Sequence, residues 1–297
     1  MKYDDSILAP LLLVAALATA EYVVIRRRGR GSWDWREAGA SLVISVGYQF
    51  LAPLGTLLWS GLYQWVWARR LATVPLGGVS GVVALVLGVE FFYYLYHRAS
   101  HEVRWFWASH AVHHTVEHLN LSAAYRLGWT STVAGAGLFF LPMVWLGFEP
   151  RGVFGVLAVN LVYQLFLHTE QVGRLGPLEW ILNTPSHHRV HHASNGGYLD
   201  ANYGGILIVF DRMFGTFVPE REDVPCRYGL VVPVGSNHPL RIVFHEWGRM
   251  LRDVANARSA RRVAAALLAR PAGAQPPQAV LRVTEVSFAS VAPSAEK

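Results

Sequence analysis

The chain has 297 residues, of which 53% are hydrophobic and only 15% are charged. With a mean hydropathy of +0.27, this composition is too apolar for an ordinary soluble domain and predicts membrane spans. The net charge of +6 comes from arginines beside apolar runs, which indicates membrane topology and anionic lipid rather than nucleic acid. The single cysteine excludes an internal disulfide and a thiolate-rich metal site within this sequence.

Three apolar runs in the first third of the chain predict three membrane spans. The run over 7–25 is followed at once by four arginines at positions 26, 27, 28 and 30. Because this charge follows the run, we expect an uncleaved span whose C-terminal end is cytoplasmic. The second run, 38–67, contains no charged residue, and the third begins near Gly77 and ends at His97. His97 is therefore expected on the cytoplasmic side.

Two further apolar runs, 127–148 and 152–167, are joined by a tight turn. The second is short for a span, so both a full crossing and a hairpin that dips into the bilayer are open. In either case the chain returns to the cytoplasmic side at His168. The sequence thus predicts an all-α integral membrane protein with four to five transmembrane helices and a cytosolic helical cap.

The C-terminal region has a different composition. Arginines alternate with apolar residues such as Ile242, Val243 and Trp247 over 239–270, a pattern typical of a basic amphipathic helix on a membrane surface. The tail after Pro271 is rich in Pro, Ala and Gln and is expected to be disordered. We predict an N-terminal transmembrane region (1–89), a catalytic region with a transmembrane hairpin (90–217), a basic amphipathic segment (218–270) and the tail (271–297).

Eight histidines at helical spacings and a ninth that stands alone lie at the predicted cytoplasmic ends of the spans. They form the motifs HRASH, HAVHH and HRVHH, with one isolated histidine between the second and the third. The nine are His97, His101, His110, His113, His114, His168, His188, His191 and His192. Offsets of three and four residues bring side chains to one helix face, so the pattern predicts metal binding. Nine candidates exceed the four ligands of a structural zinc ion and fit two metal ions.

Imidazole ligands suit iron, copper, zinc and nickel. A pair of redox-active irons that activates O₂ is the favoured interpretation beside a membrane, while zinc remains open on ligand type alone. Two more residues are candidates for the site. His187 directly precedes the last motif, and Glu90 is an acidic residue within apolar sequence two helical turns before His97.

Four pieces of this sequence resemble the fatty acid hydroxylase / sterol desaturase superfamily and, within it, the alkylglycerol monooxygenase group and its bacterial relatives. They are FYYLYHRASHEV, HAVHHTVEHLNLSAAYR, NTPSHHRVHHASN and NYGGILIVFDRMFGTF. The resemblance covers about Glu90 to Phe217. It implies a non-haem di-iron centre with the nine histidines as ligands, and O₂-dependent oxidation of a lipid.

The expected function is therefore a membrane-bound di-iron oxygenase that hydroxylates a lipid. A desaturase on the same scaffold is the first alternative, and a zinc-dependent membrane hydrolase or a non-enzymatic metal-binding membrane protein is the second. Because the sequence contains no dinucleotide fingerprint, electrons are expected from an external donor, and the resemblance implies a tetrahydropterin as one such donor. The lipid and the membrane are the other expected partners, in a bacterial inner membrane with the histidines on the cytoplasmic side.

Overall fold

A computed structural model describes residues 5–271 of the chain, and within that range the protein is all-α. Extended segments pair there only at two isolated bridges, Leu182–Leu207 and Ala193–Tyr228. The α-helices are α1 Asp5–Arg28, α2 Trp35–Ala68, α3 Val79–Glu102, α4 Arg104–His110, α5 Leu121–Ala124, α6 Leu141–Leu146, α7 Pro150–Leu165, α8 Pro185–His192, α9 Val209–Phe214, α10 Pro239–Ala255 and α11 Ala260–Leu268. Single 3₁₀ turns occupy His113–Thr115, Ala136–Phe140 and Gly176–Trp180.

Two of these helices, α2 and α3, are long and apolar enough to cross a membrane. Asp34 is the N-cap of α2, because its carboxylate accepts hydrogen bonds from the backbone N–H groups of Arg36 and Glu37. Helix α3 begins at Val79, close to the predicted start near Gly77. The predicted first span lies in α1, whose first turns fall outside the residues with described side chains. The total number of spans therefore stays a prediction.

The apolar run over 127–148 does not form one continuous helix. It consists of turns, the 3₁₀ segment Ala136–Phe140 and the short α6. Gly147 explains one interruption: its φ is +114°, and a Cβ there would lie 2.3 Å from the carbonyl oxygen of Ala72. Trp59 donates to the carbonyl of Thr132 and Trp129 donates to that of Ile44. Such packing against α2 is what irregular backbone at membrane depth requires.

Helix α7 has 16 residues, which at about 1.5 Å per residue gives about 24 Å, short of the roughly 30 Å hydrocarbon core. Whether it crosses the bilayer stays a prediction. Its N-terminal half packs with α2, α3 and α6 in the largest apolar cluster, which includes Tyr63, Val89, Met143 and Val153. This cluster fixes the end of α3, where the first histidine motif lies.

The segment between α7 and α10 is less helical than the predicted cap. Only α8 and α9 are regular α-helices there, and most of 193–238 is irregular. Side chains hold this backbone in place: Asn202 bonds the backbone at both His187 and Val218, and Asn195 bonds it at Pro225 and Arg227. The cytosolic location of this cap stays a prediction.

The helix predicted over 239–270 divides into α10 and α11. The break occurs because Ser259 caps a new helix, its hydroxyl accepting from the N–H of Arg262. Ile242 and Val243 are buried against Ile44 of α2 and Val112, so these two residues do not face lipid. Apart from Pro271, the predicted disordered tail lies outside the described residues. The predicted domain boundaries stay predictions.

Candidate metal centre

Four segments of the chain bring the predicted histidines together. His97 and His101 lie one turn apart near the end of α3, and both are buried. The second motif spans the end of α4 and the following 3₁₀ turn, and the third lies in α8. His168 lies shortly after α7, which ends at Leu165. The four segments bring all nine histidines together in one place.

The nine imidazoles form two groups. In each group the available ligand atoms all lie within 4.8 Å of one another. The five-histidine group consists of His97, His101, His110, His114 and His191. The four-histidine group consists of His113, His168, His188 and His192. Each group draws residues from segments that are distant in sequence, and neither contains His187 or Glu90.

The rings point their Nε2 atoms at each other. In the four-histidine group the Nε2 of His168 lies 3.0 Å from that of His113, 3.0 Å from that of His188 and 3.2 Å from that of His192. In the five-histidine group the Nε2 of His110 lies 3.0 Å from that of His97. Nitrogens that bind one ion at about 2.1 Å are about 3 Å apart when the angle at the ion is near 90°. The spacing therefore suits shared ions.

Hydrogen bonds to backbone carbonyls decide where the ring protons are. The Nδ1 of His168 lies 2.8 Å from the carbonyl oxygen of Gln164, and that of His113 lies 3.3 Å from the oxygen of Arg126. A carbonyl oxygen only accepts, so each Nδ1 carries the proton and each Nε2 carries a lone pair. Two lone pairs 3.0 Å apart cannot hydrogen-bond to each other. A cation between them removes the conflict, so these residues fit a metal ion.

The five-histidine group is arranged in the same way. His97 donates from Nδ1 to the carbonyl of Tyr203 at 2.8 Å, and His191 donates to that of Ala201 at 3.0 Å. The Nε2 atoms of His101 and His191 are buried and have no hydrogen-bond partner within residues 5–271. The Nδ1 of His101 faces the carboxylate of Asp200 at 3.7 Å. Outer contacts of this kind orient imidazole ligands.

Burial keeps these imidazoles neutral. Loss of hydration lowers the pKa of His168 to about 3 and that of His191 to about 4. Both rings are therefore uncharged at neutral pH, and an uncharged imidazole is the form that binds a metal. The buried groups thus need no deprotonation before an ion enters.

A cavity of about 60 Å³ opens onto the five-histidine group. His101, His114 and His191 line its inner end, together with His192 of the other group. Its walls combine Trp107 and the aliphatic side chains of 199 and 230–232 with charged groups from α10. The cavity thus gives access to part of the five-histidine group and to His192.

Glu90 is buried but lies outside both groups. One carboxylate oxygen accepts from the backbone N–H groups of Ile206 and Leu207 at 2.8 and 3.0 Å, and the other accepts from the side-chain amide of Asn160 at 2.6 Å. Glu90 therefore fixes the segment just after Tyr203, whose carbonyl orients His97. Its contacts are those of a positioning residue and not of a ligand.

Asp211 fixes the same segment from the other side. Its carboxylate accepts from the N–H groups of Tyr203 and Gly204 at 2.8 and 2.7 Å and from the hydroxyl of Thr216 at 2.6 Å. Burial raises the pKa of Asp211 to about 6. The neighbouring Asp200 and Asn202 have φ of +57° and +58°, a conformation that non-glycine residues adopt at an energetic cost. The backbone behind the five-histidine group is thus held in one specific shape.

His187 points away from both groups. Its Nε2 faces the carboxylate of Glu179 at 3.9 Å, and its ring packs against Phe217. Burial lowers its pKa to about 4. His187 is therefore a buried residue beside the site. His118, four residues after His114, hydrogen-bonds the Glu37 carboxylate at 2.8 Å.

Sequence reasoning missed two charged residues that support the site. Arg126 is fully buried and donates to Ser41, Thr115 and the carbonyl of Glu37, which fixes the carbonyl that orients His113. Glu21 of α1 accepts from the N–H of Leu121 and from the hydroxyl of Thr169, next to His168. The available signal was a charge beside or inside an apolar run, the same signal that singled out Glu90.

Comparison with known proteins finds one family model and several relatives that are similar to this chain. Residues 82–216 match the family model described as fatty acid hydroxylase. Alkylglycerol monooxygenase of Xenopus tropicalis is 41% identical over 71% of this chain and 48% of its own length. The human alkylglycerol monooxygenase is 43% identical over 62% of this chain and 40% of its own length. The ornithine lipid hydroxylase OlsE of Rhizobium tropici is 36% identical over 46% of this chain and 41% of its own length.

The chain thus spans less than half the length of these three relatives. No solved structure matches it. The matched region includes all nine grouped histidines, as well as Glu90 and Asp211. Residues 82–216 are thus similar to the fatty acid hydroxylase family, in a chain that is also similar to the alkylglycerol monooxygenases.

Proposed function

We propose that this chain is a membrane-bound oxygenase that uses two non-haem irons and O₂ to hydroxylate a lipid. The observation that carries the proposal is the convergence of Nε2 lone pairs at His113 and His168, where a bound cation would relieve the repulsion. The homologous lipid hydroxylases favour iron and oxygen chemistry over a zinc-dependent hydrolase.

The five-histidine group and the four-histidine group would each hold one ion, with all nine histidines as ligands. Bound irons would supply the activation of O₂ and the oxidation of a C–H bond. In balance, the lipid C–H bond, O₂, two electrons and two protons give a C–OH bond and water. Removal of a second hydrogen would give an alkene, which is the desaturase alternative.

The chain's own residues contribute orientation and exclusion of water. The carbonyls of Tyr203 and Gln164 hold the Nδ1 protons of His97 and His168, so that each Nε2 stays available. Buried surroundings keep the four-histidine group away from solvent. The aliphatic wall of the cavity, including Val231 and Val232, suits a hydrocarbon segment beside the five-histidine group.

The remaining parts of the proposal concern supply and location. Electrons would come from an external donor or a tetrahydropterin, and the lipid would come from the surrounding bilayer. The arginines at 26, 27, 28 and 30 support a cytoplasmic site in a bacterial inner membrane through the positive-inside rule.

The test combines metal analysis with isotope labelling. The full chain in lipid nanodiscs, loaded anaerobically with ferrous iron and given a chemical reductant and ¹⁸O₂, is expected to bind two irons and to place ¹⁸O in a lipid product. His113→Ala should lose both results. An unlabelled lipid pool at full iron loading would contradict the oxygenase proposal, and stoichiometric zinc with lipid hydrolysis would favour the zinc alternative.

A further inference from the structure

Helix α10 has two separate apolar faces. Ile242 and Val243 face inward, where they are buried in a cluster with α2. A second set, Leu240, Phe244 and Leu251, is 52%, 45% and 58% exposed. At about 100° per residue these positions and Trp247 lie within a stripe about 60° wide. The inward face already accounts for the packing of α10, so the outward stripe needs another explanation.

The outward stripe forms one side of an apolar groove. The groove has a volume of about 380 Å³ and is lined by Trp105, Val133, Phe244, Trp247 and Leu251, with Thr130 and Ala134 at its floor. The indoles of Trp105 and Trp247 meet edge to face with centroids 5.1 Å apart. Their N–H groups are satisfied by Ala134 and Thr130. What remains on the groove wall is therefore carbon surface.

Arginines that form no ion pair are frequent on α10 and on the segments that follow it. Within the part of the chain that the structure describes, five exposed arginines of α10, α11 and the link between them form no ion pair: Arg241, Arg252, Arg258, Arg261 and Arg262. Arg241 and Arg252 lie on a stripe next to the apolar one, with His245 and Gly248. Apolar residues beside unpaired cations are the composition that binds anionic lipid surfaces.

We propose that the groove and the outward stripe of α10 insert into the anionic lipid leaflet next to the metal centre. Two observations favour a leaflet over a protein partner. The first is the unpaired positive charge along the edge of the stripe. The second is continuity with the bilayer: α10 packs on α2, a helix long enough to span, whose Val43 and Phe50 are 54% and 70% exposed.

This contact has a consequence for the cavity. The other side of α10 supplies Glu246 and Arg249 to the wall of the cavity that opens onto the five-histidine group. One helix therefore separates the leaflet from the cavity. Insertion of its outward stripe holds that wall at the membrane surface and sets the height of the cavity opening above the lipid.

Spin labels at single cysteines test the insertion. In a Cys226→Ser background, labels at Phe244→Cys and Leu251→Cys are compared with labels at Gly248→Cys and Arg252→Cys on the neighbouring stripe. Gly248 is a suitable control because a Cβ there would meet nothing within 4 Å. Collision rates with O₂, which concentrates in lipid, and with a water-soluble nickel chelate report depth for the full chain in nanodiscs that contain phosphatidylglycerol.

The ratio of O₂ to nickel collisions should be several-fold higher at 244 and 251 than at 248 and 252. Equal, water-like ratios at all four positions would overturn the proposal. Protection of 244 and 251 from both reagents would also overturn it, since that result indicates a protein contact. Metal content serves as the check on folding. If a labelled variant of the outward stripe loses its metal, a label at Leu240→Cys on the same stripe replaces it.

The arginines are tested separately. In nanodiscs of phosphatidylcholine alone the ratio at 244 should fall, and the double change Arg241→Gln with Arg252→Gln should remove most of the difference between the two lipids. A ratio that is the same in both lipids for the unmodified arginines would overturn the anionic part of the proposal. None of these measurements depends on whether the metal centre oxidises a lipid.

Discussion

The two histidine groups offer the same ligand atom but differ in access. Three members of the five-histidine group, His101, His114 and His191, line the cavity. In the four-histidine group all members are buried, and only His192 reaches that cavity. A site that exchanges small molecules needs an approach, whereas a closed site mainly holds its ion. The comparison suggests that the two ions would have different roles.

The groups also differ in what holds them. The carbonyls of Ala201 and Tyr203 orient the five-histidine group, and this segment is fixed by the carboxylates of Glu90 and Asp211. The carbonyls of Gln164 and Arg126 orient the four-histidine group; Gln164 lies in α7 and Arg126 follows α5. Changes in the cap should therefore affect the first group more, and changes in α7 or at Arg126 should affect the second.

The largest expected effect comes from replacing a histidine of the four-histidine group. His188→Ala removes an Nε2 that lies 3.0 Å from that of His168, so bound metal should fall from two ions towards one per chain. Activity should fall by more than about 100-fold, the upper end of what loss of an outer contact costs. His187→Ala is the matched control, since its ring faces Glu179 and the protein should keep both ions. Equal metal loss in the two variants would contradict the grouping.

Glu90→Gln should have a smaller effect that is concentrated on the five-histidine group. One oxygen of Glu90 accepts from two backbone N–H groups while the other accepts from Asn160. An amide has only one oxygen, so its NH₂ group would face a donor, which costs about 1–3 kcal/mol. Metal affinity at the five-histidine group should fall by about 10-fold, as measured by titration with Co²⁺.

Glu149→Gln serves as the control for that change, because Glu149 is an exposed residue before α7. It should leave both affinities unchanged. A loss of metal affinity at the four-histidine group alone would contradict the role assigned to the 203–207 segment. In that case the carboxylate would act through Asn160 and Gln164, which are joined by a 2.5 Å hydrogen bond.

A chelator should remove the ion of the five-histidine group faster than the ion of the four-histidine group. A chelator can approach the five-histidine group through the cavity, so loss of two ions from the unmodified protein should be biphasic, with rates that differ several-fold. His188→Ala protein, which keeps the five-histidine group, should show only the fast phase. His101→Ala protein should show only the slow phase. A single common rate in all three proteins would contradict the difference in access.

Much of this arrangement could be predicted from the sequence because it depends on local spacing. Offsets of three and four residues brought out eight of the nine grouped histidines, the end of an apolar run brought out His168, and hydropathy located α2 and the start of α3. The division into five and four could not be predicted. His113 and His114 are neighbours, yet the 3₁₀ turn directs them to different groups. Pairing with distant His168 and His191 depends on tertiary packing.

Residues that act through backbone were also beyond sequence reasoning. The carboxylate of Asp211 accepts hydrogen bonds from the N–H groups of the loop at 203–204, and no local spacing predicts those contacts. The inward face of α10 was equally hidden, since Ile242 and Phe244 have similar polarity and only packing against α2 distinguishes them. Amphipathicity indicated the helix but not which apolar face meets protein.

Asp211 gives a prediction that concerns stability and is specific to one carboxylate. Burial raises its pKa from 3.8 to about 6, so between these pH values the folded protein retains a proton that the unfolded chain has lost. The contribution of this group to the unfolding free energy therefore decreases as pH rises from about 4 to about 6, by up to about 3 kcal/mol at about 1.4 kcal/mol per unit. Asp211→Asn removes that dependence.

The measurement is the difference in thermal midpoint between the two proteins in detergent micelles across this pH range. Histidines that bind protons on unfolding act in the opposite direction, but they are common to both proteins and cancel in the difference. The unmodified protein should lose stability relative to Asp211→Asn as pH rises towards 6 and then hold a constant offset. A difference independent of pH would mean that Asp211 is ionised throughout, and its hydrogen bonds to the 203–204 loop would then outweigh the cost of burying its charge.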